Sequence, residues 1–361
     1  MRIMFCLGSL GIGGAERVIT NLANTFVKNN EVAIVVSTPK DKIYELDKKI
    51  RYEVIDSLTE KNKIKKIYNR VKNTERIIKE FKPNIIIAFL PEPSIRISML
   101  RKKIDIPVIV SVRDDPKIDY KKMRLYIPMK LYFKNADAFV FQTEEQRSYF
   151  SKRIQDNSTI IFNPINSNFI CKPFLGERKK KIISAGRLMP QKNQKLLIDA
   201  FSIVHKKHPD YELHIYGEGD LRNELQEQIN ELNLEKNVFL DGLTSNMKEK
   251  LYDSSMFVLS SRHEGLPNAL LEAMALGTPC ITTRFSGGGA EAIIKNNVNG
   301  LLVENDSNEL SKAINYYIEN KEIAKEHGIN ASEEMKQYTQ EAITKKWYEY
   351  ICSVVDKYNS K

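Results

Sequence analysis

Cysteine is scarce in this chain of 361 residues: Cys6, Cys171, Cys280 and Cys352 stand far apart, with no Cys-x-x-Cys pair. That spacing excludes a zinc knuckle, argues against a disulfide scaffold and suits a reducing cytosol. No apolar run approaches the roughly 18–20 residues that cross a bilayer. The opening MRIMFCLGSLGIGG is apolar after one Arg, but it is short, broken by glycine and lacks a small-residue cleavage site. A buried first strand is therefore expected there rather than a secretory signal. Histidine is rare, and His205, His208 and His214 have no evident catalytic partner nearby in the sequence. Asp-x-Asp is missing; its nearest approach, Glu218-Gly219-Asp220, reads as a turn that starts a helix.

What is present is organised by charge and by period. The net charge is +10, yet residues 1–170 carry 31 Lys and Arg against 19 Asp and Glu, while the remainder carries 25 against 27. One half is strongly basic and the other close to neutral. Short apolar runs such as Ile3–Leu7, Val32–Val36, Ile85–Leu90, Val108–Val112 and Ala138–Phe141 alternate with helix-period segments. Runs that are continuously apolar indicate parallel strands covered on both faces. The pattern breaks near Asn163-Pro164-Ile165 and resumes at Lys181–Ala185. The expected fold class is α/β, with two tandem Rossmann-like doubly wound domains over residues 1–168 and 176–340. A last helix, 341–361, carries the sole Trp, Trp347, and is expected to pack back across the domain junction.

Several strand-to-helix turns carry chemistry. Gly8-Ser9-Leu10-Gly11-Ile12-Gly13-Gly14 lets the backbone come close to a ligand at a helix N-terminus, which favours an anion. The turn lacks the dinucleotide fingerprint and the Gly-Lys-Ser/Thr ending of a phosphate loop. Gly186-Arg187-Leu188-Met189-Pro190-Gln191-Lys192 places two cations beyond a strand's carboxyl end, where a diphosphate would be met. Arg262 to Pro279 sets Glu264, Gly265, Leu266 and Asn268 before and at a helix start, with Glu272 on the helix and Gly277 closing it. Ser286-Gly287-Gly288-Gly289 is a further glycine-rich turn.

Taken in order, Gly13-Gly14, Arg187 with Lys192, and Glu264-x7-Glu272 resemble the retaining family-four glycosyltransferases of the GT-B fold, over roughly residues 2–350. The likeness is to bacterial enzymes that build capsule, lipopolysaccharide or lipid-linked oligosaccharide. It implies two domains facing across a cleft, the first for an acceptor and the second for a nucleotide sugar, most commonly a UDP-sugar. By the same resemblance, Arg187 and Lys192 hold the donor diphosphate, Glu272 the ribose hydroxyls, and Glu264 the transferred sugar. Gly13, Gly14, Gly186, Gly265, Leu266, Asn268, Gly288 and Gly289 complete the implied donor site, and Asp241-Gly242-Leu243 lies near the base. Where many relatives have a His, this chain has Arg113, followed by Asp114 and Asp115. A guanidinium stays protonated, so Arg113 is expected to bind an anion or hydroxyl, or else to form an ion pair with an adjacent Asp that orders the loop. No protein nucleophile and no metal or other cofactor is expected, because the two cations and helix dipoles take the metal's place.

The basic half belongs with the acceptor. Lys61, Lys63, Lys65, Lys66, Arg70, Lys72, Arg76, Lys79 and Lys82 decorate one predicted helix, and Arg101-Lys102-Lys103 and Lys121-Lys122 add to it. Part of that helix's apolar stripe, which includes Ile64, Ile67, Val71, Ile78 and Phe81, is expected to pack on the sheet. Its outer face suits an anionic membrane surface. Peripheral attachment to the inner face of the cell membrane and a lipid-linked saccharide acceptor are the expectation. A nucleotide-sugar epimerase shares the architecture but needs acid and base side chains that are not evident. A basic nucleic-acid module would need interleaved aromatic and basic motifs, so no nucleic acid is expected as a partner.

Overall fold

A computed structural model describes residues 1–11, 13–40, 44–56 and 62–360. The chain forms two compact units, one of residues 1–164 with 341–361 and one of residues 165–340.

The first unit holds a seven-stranded sheet of β1 (Arg2–Leu7), β2 (Glu31–Val36), β3 (Arg51–Val54), β4 (Ile85–Phe89), β5 (Val108–Ser111), β6 (Ala138–Phe141) and β7 (Ser158–Ile160). The order is β3-β2-β1-β4-β5-β6-β7, and every pairing is parallel. β4 reads Ile-Ile-Ile-Ala-Phe and is buried along its whole length, as a central strand with helices on both faces must be. β3 and β7, half-exposed at the two edges, carry Arg51, Glu53 and Ser158 instead. The strand order reverses beside β1, which has β2 on one side and β4 on the other.

The C-terminal helix, Gln340–Asn359, completes this unit. Trp347 is fully buried and stacks on Phe89 with ring centroids 5.7 Å apart. Tyr348 meets Phe26 at 5.6 Å, and the Tyr350 hydroxyl donates to the Phe139 carbonyl at 3.1 Å.

The second unit repeats the plan with β8 (Lys179–Ala185), β9 (Glu212–Tyr216), β10 (Val238–Gly242), β11 (Ser254–Leu259), β12 (Cys280–Thr283) and β13 (Leu301–Val303). The order is β10-β9-β8-β11-β12-β13, again all parallel, with the reversal between β8 and β11. Arg178, just before β8, is a partly buried cross-brace. Its guanidinium donates to the carbonyls of Tyr252, Ser254 and Gly277 at 3.1, 3.0 and 2.8 Å. Burial pulls its pKa down to about 10, so it remains charged at neutral pH.

Truncating Trp347 to Ala should lower the stability of the first unit by about 3–5 kcal/mol through the cavity it leaves. Trp347→Phe should cost less, since the indole N–H has no partner among the described residues. Urea denaturation followed by circular dichroism checks the ranking.

Candidate functional site

In an open parallel sheet the crevice for a ligand lies beyond the carboxyl ends of the strands, at the point where the order reverses. In the second unit that point is flanked by the loop after β8, holding Gly186 to Asn193, and the loop after β11, holding Ser260 to Pro267. The structure brings Lys192 of the first loop onto Glu264 of the second as an ion pair. Both side chains are largely shielded, 16% and 12% exposed, so the pair forms where water screens it little. The Ser261 hydroxyl donates to the same Glu264 oxygen at 2.9 Å. Arg187 differs: it is exposed, and its guanidinium has no partner among the described residues.

The glycine-rich turn after β12 is zipped to the Glu264 loop. The Glu264 amide donates to the Ser286 carbonyl at 3.1 Å, and the Ser286 amide to the Arg262 carbonyl at 3.3 Å. Gly289 is required by close approach, because a Cβ there would sit 1.9 Å from the Gly265 carbonyl oxygen. Gly288, at φ 72°, caps the short helix Gly289–Ile293. Gly186, Lys192, Glu264, Gly265 and Gly289 thus meet at one end of the sheet. Leu266 is buried beside them, and Asn268 opens the helix Asn268–Ala275. Glu272 is buried in that helix, 7% exposed. A carboxylate kept dry on the second helical turn is an arrangement that packing alone does not call for.

In the first unit, Gly13 and Gly14 stand at the start of the helix Gly14–Phe26, which follows β1 at that sheet's own reversal. The Glu16 side chain folds back over this helix end, its carboxylate 2.1 Å from where a Gly13 Cβ would lie. Arg113 follows β5 and is buried, 8% exposed, with its guanidinium over the Phe89 ring at 5.6 Å. It donates to the Asn163 amide oxygen, and Nε and Nη1 have no partner among the described residues. The alternative ion pair with an adjacent Asp does not form. Asp115 caps the turn Pro116–Asp119, accepting from the Lys117 amide, and Asp114 accepts from the Asp115 amide. Burial pulls the Arg113 pKa down to about 9, which still leaves a cation at neutral pH.

Two family models divide the chain between them. The Glycosyltransferase Family 4 model matches residues 12–169, and the Glycosyl transferases group 1 model matches residues 168–339. The chain belongs to these group 1, family-four glycosyltransferases. It is similar to an uncharacterized glycosyltransferase of Methanocaldococcus jannaschii, 34% identical over 253 residues, 63% of this chain and 62% of the archaeal one. It is 26% identical over 360 residues to a Campylobacter jejuni alpha-1,4-N-acetyl-D-galactosaminyltransferase whose name specifies a diphosphoundecaprenol-linked saccharide. That alignment covers 98% of this chain and 99% of the other. Among solved structures, HepE of Anabaena in complex with UDP and glucose superposes with a TM-score of 0.82 at 19% identity, over 97% of this chain and 99% of that one. Such a likeness establishes the GT-B fold.

Beneath the Lys192–Glu264 pair of this glycosyltransferase lies a polar brace that the sequence did not announce. Asn193 sits in the left-handed region at φ 50° and is buried. Its amide donates to Asn305 at 3.0 Å and accepts from Arg262 at 3.2 Å. Asn305 in turn donates to the Ser261 carbonyl at 3.0 Å, and the Ser260 hydroxyl lies 3.1 Å from the carbonyls of both Lys192 and Asn193. Three strand-end loops are held together this way. The only sequence signal was an Asn just ahead of a helix, which reads as a cap.

Asn193→Ala should be worse than Asn193→Gly, inverting the usual order within ordered structure. Both lose the bridge, but only Ala adds the left-handed strain, about 1–2 kcal/mol. Comparing the two variants by urea denaturation decides it.

Proposed function

We propose that this enzyme is a retaining, metal-independent glycosyltransferase that moves a hexose or N-acetylhexosamine from a UDP-sugar to a lipid-linked saccharide at the inner face of the cell membrane. One observation carries the reading: the loops after β8 and β11 bring Lys192 onto the shielded carboxylate of Glu264 at the reversal point of the second sheet, with an exposed Arg187 on the first of those loops. A diphosphate entering this crevice competes with Glu264 for Lys192 and gains Arg187 as well. Releasing Glu264 turns its carboxylate toward the transferred sugar, while Glu272 receives the ribose hydroxyls. UDP and glucose in the Anabaena complex and the diphosphoundecaprenol-linked acceptor named for the Campylobacter relative support the substrate classes.

In the step itself, the bond from the sugar's anomeric carbon to the diphosphate breaks and a bond to the acceptor oxygen forms on the same face. The acceptor's proton passes to the departing phosphate oxygen. Charge grows on the leaving group and on the oxocarbenium-like sugar. Arg187 and Lys192 offset the first, and Glu264 the second, from positions fixed before reaction. In the first unit, Arg113 has N–H groups to spare for an acceptor hydroxyl or phosphate.

The membrane part of this reading rests on the basic first unit, and the structure redistributes its charges. Of the predicted basic helix, Arg70 binds Asp56 through two bonds of 2.6 and 2.8 Å, Lys66 also meets Asp56, and Arg76 and Lys79 pair with Glu80 and Glu75. Lys72 stays exposed and unpaired among the described residues, and Lys61 lies outside them. Ile78 and Phe81 pack on the sheet, while Ile64 and Ile67 stand 81% and 62% exposed. No described helix is long and apolar enough to cross a membrane.

UDP at about 100 times its dissociation constant should stabilise the protein by about 2.7 kcal/mol in thermal unfolding. In Arg187→Ala that stabilisation should vanish and turnover should fall by about 10²–10³, as for removal of one charge-stabilising donor. A folded Arg187→Ala variant with near-normal turnover would sink the assignment. Conversion of the nucleotide sugar without any acceptor would make the enzyme an epimerase instead.

A further inference from the structure

We infer that the helix Met123–Tyr132 of the first unit is a membrane-inserting face, seated in an anionic lipid surface through an apolar stripe. The inference rests on the peripheral-membrane reading above and assigns it a location. Met123, Ile127 and Leu131 recur every fourth residue and so share one side of the helix. They are 63%, 48% and 51% exposed, and Ile118, just upstream, is 42% exposed. The opposite side is fully used: Met129 and Phe133 are 1% exposed within the core, with Leu125 and Tyr126 packed partly against it. The outer stripe is therefore left over after the fold is complete.

Its surroundings say what covers it. From Lys121 to Lys134 the chain contains five Lys and Arg and no Asp or Glu. Lys121, Lys122, Arg124 and Lys134 are exposed, and none has a carboxylate partner among the described residues. Cations placed around apolar side chains fit a surface with acidic headgroups outside and hydrocarbon below. A second copy of the chain would bring the same cations face to face, which opposes pairing through this stripe. Tyr126 and Tyr132, half-exposed on the flanks, suit the headgroup level.

The test uses the full chain with vesicles of phosphatidylcholine and phosphatidylglycerol in a three-to-one ratio. The triple variant Met123→Ser, Ile127→Ser, Leu131→Ser alters exposed positions only, so its unfolding temperature should match the parent's. The expected result is a loss of at least 10-fold in vesicle affinity, with the parent retaining measurable binding in salt that abolishes binding by the triple variant. An Ile127→Trp variant should be quenched by lipids brominated in the acyl chain, whereas the buried Trp347 of the parent should not. If the parent floats with the vesicles, but the triple variant binds equally and Ile127→Trp is not quenched, the stripe does not insert and the charges alone make the contact. Should the parent fail to float at all, the peripheral-membrane reading falls and this inference with it. A parent dimer lost in the triple variant without vesicle binding would give the stripe to a second copy and overturn the proposal.

Discussion

Parallel strands share one polarity, and in both units of this enzyme that constraint decides where everything else goes. All strand ends of one kind lie on one edge, and the crossovers between them leave that edge open only where the strand order reverses. In the second unit the reversal lies between β8 and β11, strands joined to each other by backbone pairing yet followed by loops that leave in opposite directions. Lys192 and Glu264 occupy those two loops and are 72 residues apart, and only the sheet makes them neighbours. The same reversal in the first unit lies beside β1, so the Gly13-Gly14 turn falls there for the same reason.

The loops at the second unit's reversal must be held in place against each other, and the residues that hold them bear a cost. Asn193 accepts a left-handed backbone, and Lys192 and Glu264 give up most of their hydration to pair. Each is offset by the hydrogen bonds of Ser260, Ser261 and Asn305, which tie the strand ends beneath. Arg113 is the more extreme case: a buried cation with only the neutral amides of Asn163 and Gln142 and an aromatic ring for company. Folding alone would favour an apolar residue there, so the position reads as one kept for contact with something polar.

How much of this was legible in the sequence follows from which interactions are local. The central strands were, because Ile-Ile-Ile-Ala-Phe is too short to span a membrane and is rich in strand-forming residues, and so were the turns carrying Arg187, Lys192 and Glu264 and the helix carrying Glu272. The edge strand β3, Arg-Tyr-Glu-Val, was not, since a half-exposed edge needs no apolar run. The brace was invisible because its closing bond joins Asn193 to Asn305, 112 residues away. The basic helix was seen, but not that Asp56, at the end of a strand left unread, would take Arg70 and Lys66 out of its charged face. Charge counts see a side chain's sign and miss the partner brought by another element.

Apolar residues raise the same difficulty with the opposite outcome. Lys121 and Lys122 stood out in the sequence as charge, whereas nothing in it singled out Met123, Ile127 and Leu131. Both sides of that helix are apolar, and a helix of this kind has only one sheet to pack on. Met129 and Phe133 win that place, since they share the core with Phe139 and Phe150. The remaining stripe is then surrounded by like charges a turn apart, which repel one another by a few tenths of a kcal/mol per pair in water. Along Lys63–Phe81 the acids at positions 56, 75 and 80 pair with Lys66, Arg70, Arg76 and Lys79. The acid-free segment around Met123 is of another kind, because no carboxylate stands among its five cations to offset their repulsion.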